Sequence, residues 1–466
     1  MNKKIPVSIA LAITILAMTV TFSITWLLSM STFDNTVSAV TNLQAQYTKL
    51  AEIDRYVRNN FYGSIDDDYL FDRVAAGYMN GLPDRYCTYY SEAEYTELLA
   101  IENGELLSSG IEVLREASGA FRIVRVYPDS PAERAGVEAL GVITQVNGVD
   151  ARTYTTVRAL HSAMRGTTGT ELSLTCLYGV SDEVNYTVRY QASYANPTVE
   201  YIKVGDYAFI RIYAFTAKTY AEFDFAVRAA QNDGVLGLLF DVRGNSGGLF
   251  RDAYEVIDLL APLGTVAKSM NKAGVVSVLA TSDEAAVDLP MVVLVNESTS
   301  AAAELFACSV RDLCGGQLVG QRTAGRGTLQ NTSRLYDGSA VTVTVATLLT
   351  GRDESFNGTG LVPDVEVSND GVPESVVYSP APLSDPQALR ALNDVLRTMV
   401  RERGEDPGSP ITGQVASISG ADSSGSDLSG NDVSGEDVSV SGGDDATDDD
   451  SDADADAGGT STSQRG

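Results

Sequence analysis

The chain has 466 residues, of which 44% are hydrophobic, and its formal net charge is −29. This length and apolar content suffice for two folded domains, and the acidic balance without a basic, aromatic-interleaved stripe excludes a typical nucleic-acid-binding surface. A single histidine and four scattered cysteines exclude a metal centre built from these residues, so no metal and no cofactor is expected.

The first 31 residues predict a cytoplasmic tip and a membrane anchor. Lys3 and Lys4 precede residues 5–30, a stretch of low polarity without any charged residue. As a helix it would span about 39 Å, enough for a hydrocarbon core of about 30 Å. Because basic flanks stay in the cytoplasm, we expect a single-pass protein of a bacterial cell membrane with the rest of the chain extracytoplasmic. A cleaved signal peptide is the alternative, although no A-x-A site follows.

Residues 32–107 predict several short helices. Apolar residues recur at helical spacing in segments such as YTKLAEIDRYVRNNFY and DDYLFDRVAAGYMN. Acidic turns separate these segments, as expected at helix boundaries.

Residues 108–190 predict a small β-rich domain with one groove helix. SSGIEVLRE supplies a loop and a strand, VITQVNGVDA a hairpin, TYTTVRALHSAMRG a helix, and TELSLTCLYG an alternating closing strand. This order resembles a PDZ domain, whose groove holds the terminal carboxylate of an added peptide strand with backbone amides. The resemblance assigns peptide binding to the following residues: Ser109, Gly110, Ile111, Glu112 and Val113.

Two features of this domain are open. PDZ domains of this kind usually have Gly-Asp where Leu140 and Gly141 stand, so the turn there departs from the pattern. His161 lies on the groove helix, where it is either an ordinary half-exposed helix residue or a contact for the peptide.

Residues 191–370 predict an α/β core in which strands and helices alternate. Residues 234–250, GVLGLLFDVRGNSGGLF, read as a buried strand that ends in a glycine-rich turn, followed by the helical pattern DAYEVIDLL. Residues 296–305, NESTSAAAEL, follow the strand-like MVVLV, and residues 320–330 read GQRTAGRGTLQ.

These three segments resemble the catalytic segments of the C-terminal processing peptidases, also called tail-specific proteases, which use a Ser/Lys dyad. Laid on the family patterns N-x-x-(T/S)-A-S-A-(S/A)-E and G-x-x-T-x-G-K-G-x-x-Q without a gap, Ala301 falls on the nucleophile and Arg326 on the base, while Gln330 matches. The resemblance further implies that the amide of Gly247 or Gly248 contributes to an oxyanion hole; a tight connection without a ligand is the other interpretation of that turn.

The residues at the dyad positions lack the required chemistry. A serine hydroxyl attacks only when a neighbour accepts its proton, and a guanidinium stays protonated in proteins. We therefore expect a catalytically degenerate member that still recognises C-terminal tails or unfolded polypeptide. The alternative is an active serine endopeptidase that uses Ser300, with Lys268 or Lys272 as a base outside the motif; Ser300 is otherwise a residue of the helix start.

The resemblance extends beyond the dyad segments. Residues 77–90 resemble the G-M-x-x-x-L-x-D-x-Y-(S/T)-x-Y segment of the family, and residues 351–367 resemble its closing G-R-x-x-N-G-x-G-(I/L)-x-P-D-x-x-V segment. The match runs in family order from about residue 50 to residue 367. It therefore implies an α/β peptidase core with an inserted PDZ domain.

After the core, residues 371–403 predict a C-terminal helix around residues 385–400. Residues 404–466 hold 15 acidic residues opposed only by Arg465, and contain no aromatic residue. Such a segment cannot bury enough apolar surface to order itself, so we expect a disordered acidic tail. Cys308 and Cys314 would pair in an oxidising exterior only if their helix ends at Gly315 and Gly316.

Overall fold

A computed structural model describes residues 16–26, 47–104, 108–116, 118–191, 194–369 and 384–412. In these ranges no helix is both long enough and apolar enough to cross a membrane. The predicted transmembrane helix is therefore not found there: residues 16–26 are helical with exposed side chains, and the rest of residues 5–30 lies outside the described residues. The start of the predicted disordered tail, residues 404–412, is instead ordered against the core: the carbonyl oxygen of Pro407 accepts a hydrogen bond from the Tyr207 hydroxyl at 2.9 Å, and the amide of Ile411 donates to Asn393 Oδ1 at 2.8 Å. The acidic tail beyond residue 412 lies outside the described residues.

The helices and strands of the described residues are numbered here in chain order. The helices are α1 (47–60), α2 (Asp67–Asn80), α3 (Glu92–Glu102), α4 (Pro131–Arg134), α5 (Val157–Ala163), α6 (Thr219–Asn232), α7 (Phe250–Leu260), α8 (Ala302–Cys314) and α9, which joins Pro386–Arg390, a π-helical turn Ala391–Leu396 and Arg397–Glu402. The strands are β1 (Thr88–Tyr90), β2 (Ile111–Arg115), β3 (Phe121–Val126), β4 (Val142–Val146), β5 (Val149–Asp150), β6 (Glu171–Tyr178), β7 (Asp182–Arg189), β8 (Val199–Val204), β9 (Tyr207–Ile212), β10 (Leu238–Asp241), β11 (Gly264–Asn271), β12 (Val276–Ser282), β13 (Met291–Val295), β14 (Gln317–Gly320), β15 (Thr328–Arg334), β16 (Ala340–Thr350) and β17 (Val365–Glu366).

The core is a six-stranded sheet of order β17-β14-β13-β10-β9-β8, parallel except for β8. Since β9, β10, β13 and β14 follow one another in one direction, right-handed crossovers place their connecting helices α6, α7 and α8 on the same face. Alternate residues of each strand pack against these helices, as Phe240 does with Phe223 and Phe306.

The other face of the same sheet is covered by α9. Its apolar residues recur every three or four positions and pack on the remaining alternate residues of the strands, such as Leu239 and Leu294. The C-terminal helix expected around residues 385–400 is thus present, and it explains why the central strands are apolar on both faces.

A second, antiparallel sheet of order β1-β16-β11-β12, with β15 paired to β16, lies in the core. Its first strand belongs to the amino-terminal segment: Thr88 pairs with Thr342 and Tyr90 with Ala340. The sequence pattern indicated only helices in this segment. A strand of three residues is too short to show the two-residue alternation by which strands are recognised, and its partner strand lies some 250 residues away in sequence.

Residues 108–190 contain a six-stranded sheet of order β2-β3-β4-β6-β7, with β5 paired to β4. Strand β2 lies at its edge and helix α5 lies next to β2. Leu140, at the departure from the usual Gly-Asp, has φ of +71° and is exposed. The turn therefore keeps a conformation that favours glycine, at some cost in backbone strain.

Arg125 on β3 joins this domain to the core. Its buried guanidinium lies 2.6 Å from Glu200 on β8 and also contacts the hydroxyl of Tyr213 after β9. Glu112 on β2 contacts the same guanidinium at 3.4 Å. A buried charge requires such partners, so the network ties the edge strand of the small domain to the core.

All four cysteines are free thiols. Cys308 and Cys314 lie on one continuous helix, α8, which ends only at Gly315, whose φ is +68°. The helix thus ends where a bridge would require it, yet both cysteines stay within its regular turns and no bridge joins them. Burial raises the pKa of the Cys314 thiol to about 11 and that of the Cys308 thiol further.

Candidate functional site

Three turns meet at one edge of the central sheet. They follow β10, β13 and β14, which are adjacent and parallel, so their carboxyl ends lie side by side. Ligands of open α/β sheets bind outside this edge. The turns contain the segments 242–248, 296–301 and 321–327, which are the segments singled out in the sequence.

The turn after β10 rests on a buried ionic cluster. Asp241 accepts hydrogen bonds from Arg211 at 2.9 Å and from Arg243 at 2.8 Å, and Arg243 also pairs with Asp385 and donates to Gln387 at 2.8 Å. Burial alone would raise the pKa of Asp241, but Arg243 and Arg211 hold this pKa well below its ordinary value. The cluster therefore links β9, β10 and α9 beneath the glycine-rich turn.

The two predicted oxyanion-hole glycines differ in whether their backbone amides already donate a hydrogen bond. The amide of Gly247 donates to Asn245 Oδ1 at 2.8 Å, whereas the amide of Gly248 has no acceptor among the described residues. Both glycines have positive φ, of 102° and 126°. A Cβ at position 248 would lie 2.1 Å from the carbonyl oxygen of Phe215, so only glycine fits there. Gly248 is therefore the better-placed donor of the two.

Ala301 precedes the first residue of α8 in a strained conformation, with φ of 54° and ψ of −114°. Such a conformation in a residue with a side chain costs about 1–3 kcal/mol and is concentrated at functional sites. A Cβ on Gly247 would lie 2.9 Å from Ala301 Cβ and 3.1 Å from the amide nitrogen of Ala302. The Ala302 amide, like that of Gly248, has no acceptor within the described part of the chain. The methyl group of Ala301 thus lies close to Gly247, the residue before the available amide of Gly248, and next to the available amide of Ala302.

Ser300 is oriented differently. Its hydroxyl donates to the carbonyl oxygen of Ser246 at 2.9 Å, and its amide donates to the carbonyl oxygen of Asn245 at 3.0 Å. The side chain is 9% exposed. These bonds join the turn after β13 to the turn after β10.

Glu304 connects the two dyad positions. Its buried carboxylate accepts hydrogen bonds from the amides of Ala301 at 2.9 Å and Arg326 at 2.8 Å through one oxygen. The other oxygen accepts from Thr323 Oγ1 at 2.5 Å and from the amide of Gly325 at 2.7 Å. Burial raises the pKa of Glu304, against the effect of these four hydrogen bonds. A single carboxylate therefore sets the distance between the backbone of residues 301 and 326.

The guanidinium of Arg326 is held from two sides. Its carbon lies 4.4 Å from the centroid of the Tyr86 ring, and it donates to Gln330 Oε1 at 3.1 Å. Gln330 in turn donates to the hydroxyls of Thr328 at 2.8 Å and Thr344 at 3.3 Å. The predicted catalytic residue Gln330 thus orients the side chain at the base position, and Tyr86 supplies a favourable cation–π contact.

The two lysines considered as alternative bases have other surroundings. Lys268 on β11 donates to Asp353 Oδ2 at 2.7 Å. Lys272 is exposed in the turn after β11. Neither of them has a contact with Ser300 among the described residues, and the Ser300 hydroxyl donates to Ser246 instead.

The predicted peptide-binding residues lie at the start of β2. Ile111 and Val113 point into the core of the small domain, and Glu112 faces Arg125. The amide of Gly110 donates to Ser108 Oγ at 2.9 Å, and the carbonyl oxygen of Ser109 accepts from Ala132. Hydrogen bonds within the small domain thus order the loop. Within the described ranges no strand pairs with the outer edge of β2, which lies beside α5. His161 on α5 has a buried Nε2 without a partner in the described ranges.

Sequence reasoning missed the connecting roles of Glu304 and Tyr86. For Glu304 a signal existed, since a glutamate three residues after a helix N-cap commonly bonds back to the N-cap amide. No local sequence pattern could have indicated the role of Tyr86, because its contact with Arg326 joins residues 240 positions apart in sequence.

Two family matches cover these regions. Residues 206–367 match the family described as Peptidase family S41, and residues 122–177 match the PDZ domain. The first range contains all three turns of the candidate site, and the second contains most of the sheet of the small domain. The predicted PDZ domain is therefore confirmed.

Several curated proteins are similar over most of the chain. The carboxyl-terminal-processing protease of Synechocystis sp. is 30% identical over 305 residues, which cover 64% of this chain and 71% of that protein. The carboxy-terminal processing protease CtpA of Bacillus subtilis is 28% identical over 323 residues, 69% of each chain. Among solved structures, the photosystem II D1 C-terminal processing protease has a TM-score of 0.47 at 23% identity, covering 71% of this chain and 91% of that one. The chain belongs to the C-terminal processing peptidases of family S41 and contains a PDZ domain.

Proposed function

We propose that this protein recognises the C-terminal tails of other polypeptides and does not cleave them. The observation that carries the proposal is the pair of side chains at the dyad positions: a methyl group at Ala301 and a guanidinium at Arg326, in residues whose backbone amides both donate to Glu304. The backbone of the site has the geometry of a catalytic turn, while neither side chain can perform the reaction.

The chemistry of the two groups supports this proposal. Peptide cleavage of this type requires a nucleophile that loses a proton and a base that accepts it. Alanine has no atom for the first role, and arginine has no neutral form for the second. The amides of Gly248 and Ala302 can still polarise a carbonyl group, but such a residual contribution amounts to about a thousandfold to ten-thousandfold over water, too little to register as proteolysis.

The PDZ groove supports the recognition of tails. Strand β2 is an edge strand next to α5, which is the arrangement in which a peptide adds as a further strand. The similar proteins from Synechocystis sp. and Bacillus subtilis are named for the processing of carboxyl termini. By that likeness, the ligands of this chain are C-terminal tails or unfolded polypeptide.

The second candidate function is cleavage by Ser300 with a lysine outside the motif. Two observations count against it: the Ser300 hydroxyl donates to Ser246, and Lys268 pairs with Asp353. An active enzyme would have to break both contacts before the two side chains could meet.

We also propose that residues 5–30 anchor the protein in a bacterial cell membrane, with the PDZ domain and the core on the extracytoplasmic side. The support is the charge-free segment behind Lys3 and Lys4. The protein then fractionates with membranes, and protease added outside spheroplasts digests nearly the whole chain. A soluble form that begins beyond residue 30 would instead show signal cleavage.

Cleavage assays with an unfolded substrate such as casein test the central proposal. The unchanged protein gives only background cleavage, and Ser300→Ala has no effect on it. Ala301→Ser combined with Arg326→Lys introduces cleavage, whereas each single change stays at background because nucleophile and base act as a unit. Cleavage by the unchanged protein that Ser300→Ala abolishes would refute the proposal and support the second candidate.

A further inference from the structure

Helix α1, residues 47–60, has an apolar face that is open to solvent. Leu50, Ile53 and Val57 recur at helical spacing along this face. Leu50 is exposed by 40% and Ile53 by 51%, while Val57 is partly buried. Every other residue of α1 except Asp54 is exposed as well. The folded core therefore leaves most of this apolar face uncovered.

The side chains around this face are arranged as in a helix that lies in a membrane interface. The two borders of the face carry Tyr47 and Tyr56, exposed by 63% and 71%. Tyrosine is enriched at membrane interfaces, where its ring contacts lipid and its hydroxyl stays in water. The opposite face of α1 is polar and consists of Thr48, Glu52, Arg55 and Asn59. Interfacial helices combine such an apolar face with such a polar one.

The charge of α1 differs in sign from that of the whole chain. The chain carries −29, whereas α1 has three basic residues and only two acidic ones. One of the two acidic residues, Asp54, pairs with Arg58 at 2.9 Å. A net basic helix is attracted to anionic lipid headgroups. Two copies of this acidic chain would repel each other, so the charges favour a lipid surface as the occupant of the face.

We propose that α1 lies on the extracytoplasmic surface of the membrane, with its apolar face in contact with lipid. This inference rests on the proposed anchor, because only residues 31–46 separate α1 from the charge-free segment 5–30. Sixteen residues extend over at most about 55 Å. A chain that is anchored by residues 5–30 therefore keeps α1 close to the bilayer, and this high effective concentration strengthens a contact that one helix face alone makes weakly.

Fluorescence quenching in the full chain tests this contact. The protein is reconstituted into vesicles of phosphatidylcholine and phosphatidylglycerol, with and without bromine on the acyl chains. Trp26, the single tryptophan, is first removed by Trp26→Phe. The tryptophan of Ile53→Trp is then expected to lose about half of its fluorescence in brominated vesicles, because an interfacial helix buries its apolar face about 5–10 Å deep. Asn59→Trp, at an exposed position on the polar face of α1, is the matched control and is expected to keep its fluorescence.

The unchanged protein, which retains Trp26, reports on the anchor separately. Quenching of Trp26 without quenching of Ile53→Trp would overturn the docking of α1 and leave the anchor in place. Absence of quenching in both proteins would refute the anchor and the docking that rests on it. Equal quenching of Ile53→Trp and Asn59→Trp would overturn the proposed face. An emission of Ile53→Trp that changes with protein concentration and not with brominated lipid would also overturn the proposal, because a second copy would then cover the face.

Discussion

The dyad cleft, formed by the three turns that hold Gly248, Ala301 and Arg326, and the PDZ groove depend on different parts of the chain for the functions proposed above. In the cleft, the turns, the strained Ala301 and the available amides of Gly248 and Ala302 are in place, while the two reactive side chains are absent. In the groove, binding depends on the backbone edge of β2. Main-chain recognition needs only a correct path of the chain, whereas catalysis needs particular side-chain atoms. Under the proposed function, Ala301 and Arg326 therefore remove the cleavage chemistry and leave the recognition of tails in place.

The largest expected effect concerns the backbone of the cleft. Glu304→Ala leaves four buried donors without their acceptor, and we expect it to lower the free energy of unfolding of the core by about 4 kcal/mol. Denaturant unfolding measures this loss. Glu297→Ala, at an exposed position in the same turn, is the control and changes stability by less than about 0.5 kcal/mol.

If the comparison between the regions is correct, Glu304→Ala leaves hydrogen exchange in β2 and α5 unchanged. Equal loss of protection in the PDZ domain would mean that the groove depends on the cleft. A variant as stable as the unchanged protein would show that the bonds of Glu304 are not formed in solution.

An intermediate effect is expected in the groove. A peptide with a free, apolar C-terminus binds the full chain, and amidation of that terminus weakens binding about tenfold or more, because hydrogen bonds to a charged group are worth about 1.5–3 kcal/mol. Isothermal titration measures both affinities. Unchanged affinity after amidation would remove the carboxylate from the recognition and leave only strand addition.

The smallest effect concerns the pH dependence of the PDZ domain. Burial, aided by the charge of Arg165, lowers the pKa of His161 below its ordinary value. The folded domain thus favours the neutral imidazole, and the unfolded chain binds a proton that the folded domain does not. The contribution of His161 to the free energy of unfolding is therefore fully present above the unfolded pKa of about 6.5. It is lost as the pH falls below that value, because the unfolded chain then binds a proton more readily than the folded domain does.

Hydrogen exchange of the PDZ amides between about pH 7 and pH 5 measures this loss of stability. The variant His161→Leu removes the titrating group and should flatten the dependence. The core provides the contrast, since the pKa of Asp241 is lowered and its contribution to stability is lost only in more acidic solution. Identical pH profiles for the two regions would contradict this assignment.

Much of the fold followed from local patterns. The continuous apolar runs of β10 and β13, the period of α9 and the loop-strand-helix order of the PDZ domain are visible in a few consecutive residues. Strand β1 was not visible, because three residues carry no period and its hydrogen bonds go to β16. The transmembrane helix expected at residues 5–30 was not found in the described ranges.

The parts of the candidate site that lie in consecutive residues were also predicted from the sequence. The turns that hold Gly247, Ala301 and Arg326 were located from glycine spacing and motif order, and they meet at one edge of the sheet. Which amide remains available could not be predicted, since Gly247 donates to Asn245 while Gly248 does not, and both carry the same signal in sequence. Such a choice depends on the exact path of the turn.

The sequence by itself determined which chemical groups stand at each position: a methyl group at residue 301, a guanidinium at residue 326, and no charge along β12. These properties are covalent and need no fold. Only the tertiary structure decided that Glu304 bridges the two dyad positions, that Tyr86 lies on Arg326, and that Ser300 donates to Ser246. Except for the local bond between Glu304 and Ala301, each of these contacts joins residues from different elements, and packing brings such residues together whatever their distance along the chain.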